Sequence, residues 1–352
     1  MSGPSQMKSY LPPMRLTGAR ILRDGVFQRR SLAVARGRIS KGPLPELDLT
    51  GYLVLPGVVD LHVGLPTAPT PAMLPGLERR LTAQGVTTAW LAIPHDKSGG
   101  AERALGALAA RRGGIGLRAK LVISPDAPGL SPESLRNMEA QGLDSAVFLS
   151  VPRAALTRET GSGLFPRDLC RMAETLDELG ILYGSYGDVD AETREYYRML
   201  GAELAELPRT RAAAATARAM SDPVLAPAGD LLPGAGLGDA ITTTRLLAEG
   251  LCDALVSAHG AGHLSEAAWA LAGGSLSRLP AAWDLISRRP AEIVGLTDRG
   301  VLDHGKRADL VVMNAETRAV EATIAKGRLT FACGEAARRF RQDAALWPMA
   351  AE

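Results

Sequence analysis

Leu55-Pro56-Gly57-Val58-Val59-Asp60-Leu61-His62 is the stretch on which the reading of this chain turns. An apolar run that ends in a carboxylate and an imidazole reads as a buried strand carrying a histidine to its carboxyl end. Taken alone, such a histidine is either a site residue at the mouth of a barrel or a satisfied core imidazole. What surrounds it bears on the choice. Counting from this run at 53–61, seven more short apolar runs follow, at 87–93, 117–123, 145–151, 181–185, 202–207, 223–227 and 254–258. Segments with helical periodicity lie between or after them, at 73–84, 101–111, 132–141, 166–179, 191–200, 211–220 and 241–249. Alternation of this kind is the signature of parallel βαβ units, and eight of them fit a closed (β/α)8 TIM-like barrel better than an open sheet.

Outside the barrel the texture differs. The runs 14–19, 31–34 and 37–40 alternate in polarity between Gly, Asp and Pro punctuation, with a turn at Asp24-Gly25, and predict antiparallel strands. Two helices are expected at 265–272 and 280–287, and then strands return at 309–313, 320–325 and 328–331. Neither chain end could bury an apolar face alone, so together they predict a small accessory β-sandwich. The expected boundaries are 1–52 and 299–335 for the two parts of the sandwich, 53–298 for the barrel, and a tail at 336–352 forming a surface helix.

Composition narrows the function. The 352 residues are 46% hydrophobic, enough for a large core, and 40 Lys plus Arg nearly balance 38 Asp plus Glu. That near-neutral charge argues against nucleic acid or an anionic membrane as partner and favours a small molecule. Cys170, Cys252 and Cys333 are too scattered for a disulfide framework or a CxxC knuckle, and read as small buried hydrophobes in a reducing compartment. With no signal-peptide pattern at the N-terminus and no apolar run long enough to span a bilayer, the expected location is the cytoplasm.

The 55–62 stretch resembles the PGxxDxH start of the amidohydrolase-superfamily barrel, whose first strand delivers histidines to a metal. A second likeness, Gly300-Val301-Leu302-Asp303-His304-Gly305-Lys306-Arg307-Ala308-Asp309-Leu310-Val311, resembles the segment that leads the chain of that superfamily back to its accessory sheet. Arg289-Pro290-Ala291-Glu292 resembles the helix preceding it. Within the superfamily, the middle of the chain is similar to the α-D-ribose 1-methylphosphonate 5-triphosphate diphosphatase family of the carbon–phosphorus lyase pathway. Ala205-Glu206-Leu207-Pro208-Arg209-Thr210, Leu225-Ala226-Pro227-Ala228-Gly229 and 246–257 carry that similarity.

The resemblance implies a hydrolase that cleaves a phosphoanhydride or C–N bond with water activated by zinc, manganese or iron, acting on a small phosphorylated or phosphonate metabolite. It also implies a homo-oligomer. A binuclear centre needs converging imidazoles and carboxylates, and this chain has only five histidines, His62, His95, His259, His263 and His304. Gly64 stands where the superfamily has its second histidine. Lys120 replaces a bridging glutamate, Ser150-Val151-Pro152-Arg153 lacks a histidine, and Tyr186 replaces the ligand histidine of an SHDD motif. The residues left to hold a metal are His62, Lys120 and His263, with Asp188 and His259 as catalytic candidates; that no metal binds at all is an equal expectation. Lys120 is either a bridging ligand in carboxylated form or half of an ion pair. His259 and His263 sit in a glycine-rich loop, where HxxxH spacing loses its force. Gly234, Gly236 and Gly238, ahead of a helix, either cradle phosphate, with Arg209 supplying positive charge, or form a flexible lid or a plain turn. Two functions follow: a metal-dependent hydrolase by descent with a degenerate site, and a pseudoenzyme that binds a ligand or partner.

Overall fold

The computed structural model describes residues 10–95, 99–111, 114–124, 130–152, 166–234, 240–260 and 262–344. The N-terminal strands are β1 (Met14–Thr17), β2 (Arg20–Arg23), β3 (Val26–Arg29), β4 (Leu32–Ala35), β5 (Arg38–Ser40), β6 (Glu46–Asp48) and β7 (Tyr52–Pro56). Asp24 and Gly25 both take positive φ, 52° and 74°, the two-residue turn that suits the twist of the β2–β3 hairpin. The barrel strands are β8 (Val58–Gly64), β9 (Val86–Pro94), β10 (Gly116–Ile123), β11 (Leu143–Leu149), β12 (Leu182–Tyr186), β13 (Leu204–Glu206), β14 (Val224–Pro227), β15 (Ala254–Val256) and β16 (Ala258–His259). The chain closes with β17 (Leu310–Asn314), β18 (Val320–Ala325), β19 (Arg328–Ala332) and a helix at Gly334–Ala344.

From β8 to β15 each barrel strand pairs in parallel with the next in sequence. Closure falls to the last residues: β16 pairs with β8 through Ala258–Val63 and His259–Gly64, and the Ser257 amide donates to Asp60 Oδ1 at 3.1 Å. Seven of the helix segments expected between or after the barrel runs are present, from Leu74–Ala83 to Thr243–Ala248. Because helices cover the outside and side chains fill the inside, β8 is buried on both faces. Val58 and Val63 join the large outer core, while Val59 and Leu61 pack with Trp90, Leu225 and Val256. This double burial is why the strand reads as a continuous apolar run rather than an alternating one.

That run, read as one strand over 53–61, is two. β7 lies in a six-stranded sheet ordered β19-β18-β17-β7-β2-β3, and β8 starts the barrel. Gly57 is the joint, since a Cβ there would meet the Thr87 side chain at 2.4 Å. The second accessory sheet is β5-β4-β1-β6, and the two enclose Leu16, Val34, Leu47, Val54, Val312 and Ile324. The sandwich is therefore built from both chain ends. The C-terminal helix is not merely a surface element, because Ala336 and Phe340 are buried in the sandwich core. Of the cysteines, all free, Cys252 is buried while Cys170 and Cys333 are exposed. No helix among the described residues is long and apolar enough to cross a membrane.

Candidate active site at the barrel mouth

The carboxyl ends of the barrel strands border a cavity of ≈ 380 Å³ whose lining includes His62, Tyr186 and His259 among Leu65, Val122 and Leu149. Active sites in such barrels form on this face, where strand ends and the loops after them converge.

Its wall is organised by Glu206, the last residue of β13 and wholly buried. Oε2 accepts from His62 Nδ1 at 2.7 Å and Oε1 accepts from Lys120 Nζ at 2.5 Å. Lys120 lies inside β10 and is only 2% exposed, so its charge has been taken out of water and is answered by this one carboxylate. Burial alone would raise the Glu206 pKa, but the Lys120 ammonium and the His62 hydrogen bond outweigh it and hold the carboxyl below its ordinary range. An ionised carboxylate only accepts, so it holds an N–H of His62 on Nδ1, and Nε2, the nitrogen left for the cavity, is an acceptor in the neutral ring. Tyr186 stacks beside His62, ring centroids 5.2 Å apart and 31° from parallel. Burial, then the Glu206 charge, pushes the Tyr186 phenol up, so it stays a neutral O–H.

Beneath His62, Asp60 is fully buried and accepts from the amides of His62 and Ser257 through Oδ1. Its Oδ2 has no partner, and burial raises its pKa.

The other candidate residues fall in different places. Asp188, two residues beyond β12, is wholly buried and does not line the cavity. Its oxygens accept from Ser150 Oγ at 2.5 Å and Ser185 Oγ at 2.7 Å, and Arg194 lies 3.8 Å away. Burial raises its pKa against those partners. His259 is exposed and lines the cavity. His263 is exposed, pairs with Glu266 at 3.1 Å, and is not among the lining residues, so the two loop histidines do not converge there. Arg209 is exposed three residues beyond β13, and Gly234 is exposed with φ 86°. Gly236, Gly238 and Arg153 lie outside the described residues.

These residues do not fit a binuclear metal centre. Both Glu206 oxygens are engaged, one of them by a cation, and a second cation beside Lys120 would meet its repulsion. A side chain at position 64 has no room, since a Cβ there would lie 1.9 Å from the Ala258 carbonyl oxygen that β16 brings onto β8. Asp188 spends its oxygens on two serines. Among the described residues no three His, Cys, Asp or Glu side chains gather as a metal cluster. Glu206 was not singled out from the sequence. The signal was its position, a carboxylate at the end of an apolar barrel strand, the same argument that picks out His62.

The chain has the amidohydrolase-superfamily fold. A D-hydantoinase (dihydropyrimidinase) from Thermus sp. superposes with a TM-score of 0.67 at 14% identity, covering 92% of this chain and 97% of the enzyme. N-acetylglucosamine-6-phosphate deacetylase from Pasteurella multocida gives 0.68 at 13% identity, covering 90% and 99%. In sequence, the chain is similar to alpha-D-ribose 1-methylphosphonate 5-triphosphate diphosphatase of Escherichia coli K12, 36% identical over 115 residues. That likeness spans 32% of this chain and only 30% of the enzyme. No family model matches the chain.

Proposed function

We propose that this protein is a hydrolase by descent whose metal-dependent chemistry is lost, and that its barrel mouth binds a small ligand without a metal. One observation carries the reading: the Lys120–Glu206–His62 network places an ammonium against the carboxylate that a divalent cation would need. Here Lys120 supplies the positive charge from within the chain. Glu206 orients His62, and His62 with Tyr186 presents hydrogen-bonding atoms to whatever enters the cavity.

The test is metal content in protein purified without chelator. Well under one equivalent of zinc, manganese or iron is expected, with no turnover of phosphoanhydride or C–N substrates when any of the three is added. Stoichiometric metal would overturn the reading.

A second reading, an active metal-dependent hydrolase of a phosphorylated or phosphonate metabolite, is favoured by the partial likeness to the diphosphatase. It requires turnover that a chelator abolishes.

A further inference from the structure

We infer that the mouth cavity takes an uncharged, flat, largely apolar small molecule that offers a hydrogen-bond donor to His62 Nε2 and an acceptor to the Tyr186 hydroxyl. This rests on the reading of the site as metal-free and goes further, to the class of ligand.

Charge is the first argument. Among the described residues that line the cavity there is no Lys, Arg, Asp or Glu. Behind His62, Glu206 and the Lys120 that it binds carry opposite charges 2.5 Å apart, which largely cancel from the cavity's side. A phosphate or carboxylate placed there would lose its water and meet no lysine or arginine among the described lining residues, only the imidazoles of His62 and His259, a large cost for an ion. Triphosphate recognition calls for several cations or donors aimed at its oxygens. The guanidinium of Arg209 is exposed to solvent and is not part of this lining.

Shape is the second. His62 and Tyr186 lie 31° from parallel with ring centroids 5.2 Å apart, and Leu65, Val122 and Leu149 also line the space. Apolar side chains beside two polar ring edges suit a small flat molecule with one polar edge. The third argument is polarity. With Nδ1 donating to Glu206, Nε2 is the ring nitrogen left to the cavity, an acceptor in the neutral imidazole, and Tyr186 as a neutral phenol is a donor. A ligand with a complementary donor and acceptor on one edge satisfies both.

Oxindole is a suitable probe, being neutral and flat with adjacent N–H and C=O groups. Titration calorimetry, with NMR of the imidazole and phenol rings, should show saturable binding that moves the His62 and Tyr186 resonances. Tyr186→Phe, which keeps the ring, and His62→Gln should each weaken binding about three- to tenfold, the worth of one hydrogen bond. Benzoate and inorganic triphosphate should leave those resonances unmoved.

The inference falls if triphosphate binds at these rings, or if oxindole binds both variants as tightly as it binds the wild type. Metal measured on the same sample separates the two claims. Stoichiometric metal sinks the proposed function, whereas metal-free protein that ignores oxindole sinks this inference alone.

Discussion

Arg194 and Lys120 are both cations buried in the barrel and held by carboxylates, yet only one of their networks borders open space. Arg194, on the helix Ala191–Met199, donates to Ser185 Oγ, to the Leu204 and Ala202 carbonyls and to Asp222, while Asp188 sits close by. Nearly every polar group it meets is protein, so the cluster ties helix, β12 and β13 into one wall. Lys120 and Glu206 also bridge strands, but their third partner, His62, turns one face to the cavity. A sealed network answers only to stability. One with an open face can also answer to a ligand, and this separates Asp188 from His62 as functional candidates.

The sealed network is where a single substitution should cost most. Arg194→Met leaves Asp188 and Asp222 without their shared buried cation and should cost about 3–5 kcal/mol, seen as a lower urea midpoint. Next comes Glu206→Gln, which strands Lys120 and should cost about 3 kcal/mol. Its pH dependence sharpens the point. The folded-state pKa of Glu206 is depressed below its ordinary 4.5, so its contribution is complete above that value and is lost as pH falls through the folded value. The gap between wild type and the variant, in urea melts across the acid range, should therefore close at low pH. For Asp188 the sign reverses: burial raises its pKa above the ordinary 3.8, so protonation favours the fold as pH falls through that raised value.

Gly64→Ala drives a Cβ toward the Ala258 oxygen and should lower the thermal midpoint by the equivalent of about 1–3 kcal/mol, with metal content unchanged. His263→Ala, at an exposed pair with Glu266, should move stability by no more than about 0.5 kcal/mol. A larger loss there would mean that the loop histidine belongs to the mouth after all.

Sequence periodicity located β8 to β15, because double burial makes each one an apolar run between turns. It missed the division of 53–61 at Gly57, since a close approach to Thr87 leaves no trace in hydrophobicity. It also stopped the last strand at 258, whereas the backbone turns there through a positive φ and continues as β16 to make the closing pair with β8. At the site, residue types pointed to His62 and Lys120, and to the alternative that Lys120 forms an ion pair. They could not supply the partner, which lies 86 residues beyond Lys120 on another strand. Asp188 looked available in sequence because residue types do not tell that Ser185 and Arg194 turn back on it, or that Ser150 arrives from 38 residues away.

The interleaving of the two chain ends has a bearing on how the molecule is made. β7 needs β17 as its antiparallel neighbour, with Leu55 opposite Val311, so an early strand must wait for most of the polypeptide to emerge from the ribosome. Pairing over such a separation is slow and leaves apolar edges open to other chains meanwhile. Chains that stop short of Leu310 should therefore accumulate as aggregates even where the barrel itself is fully encoded.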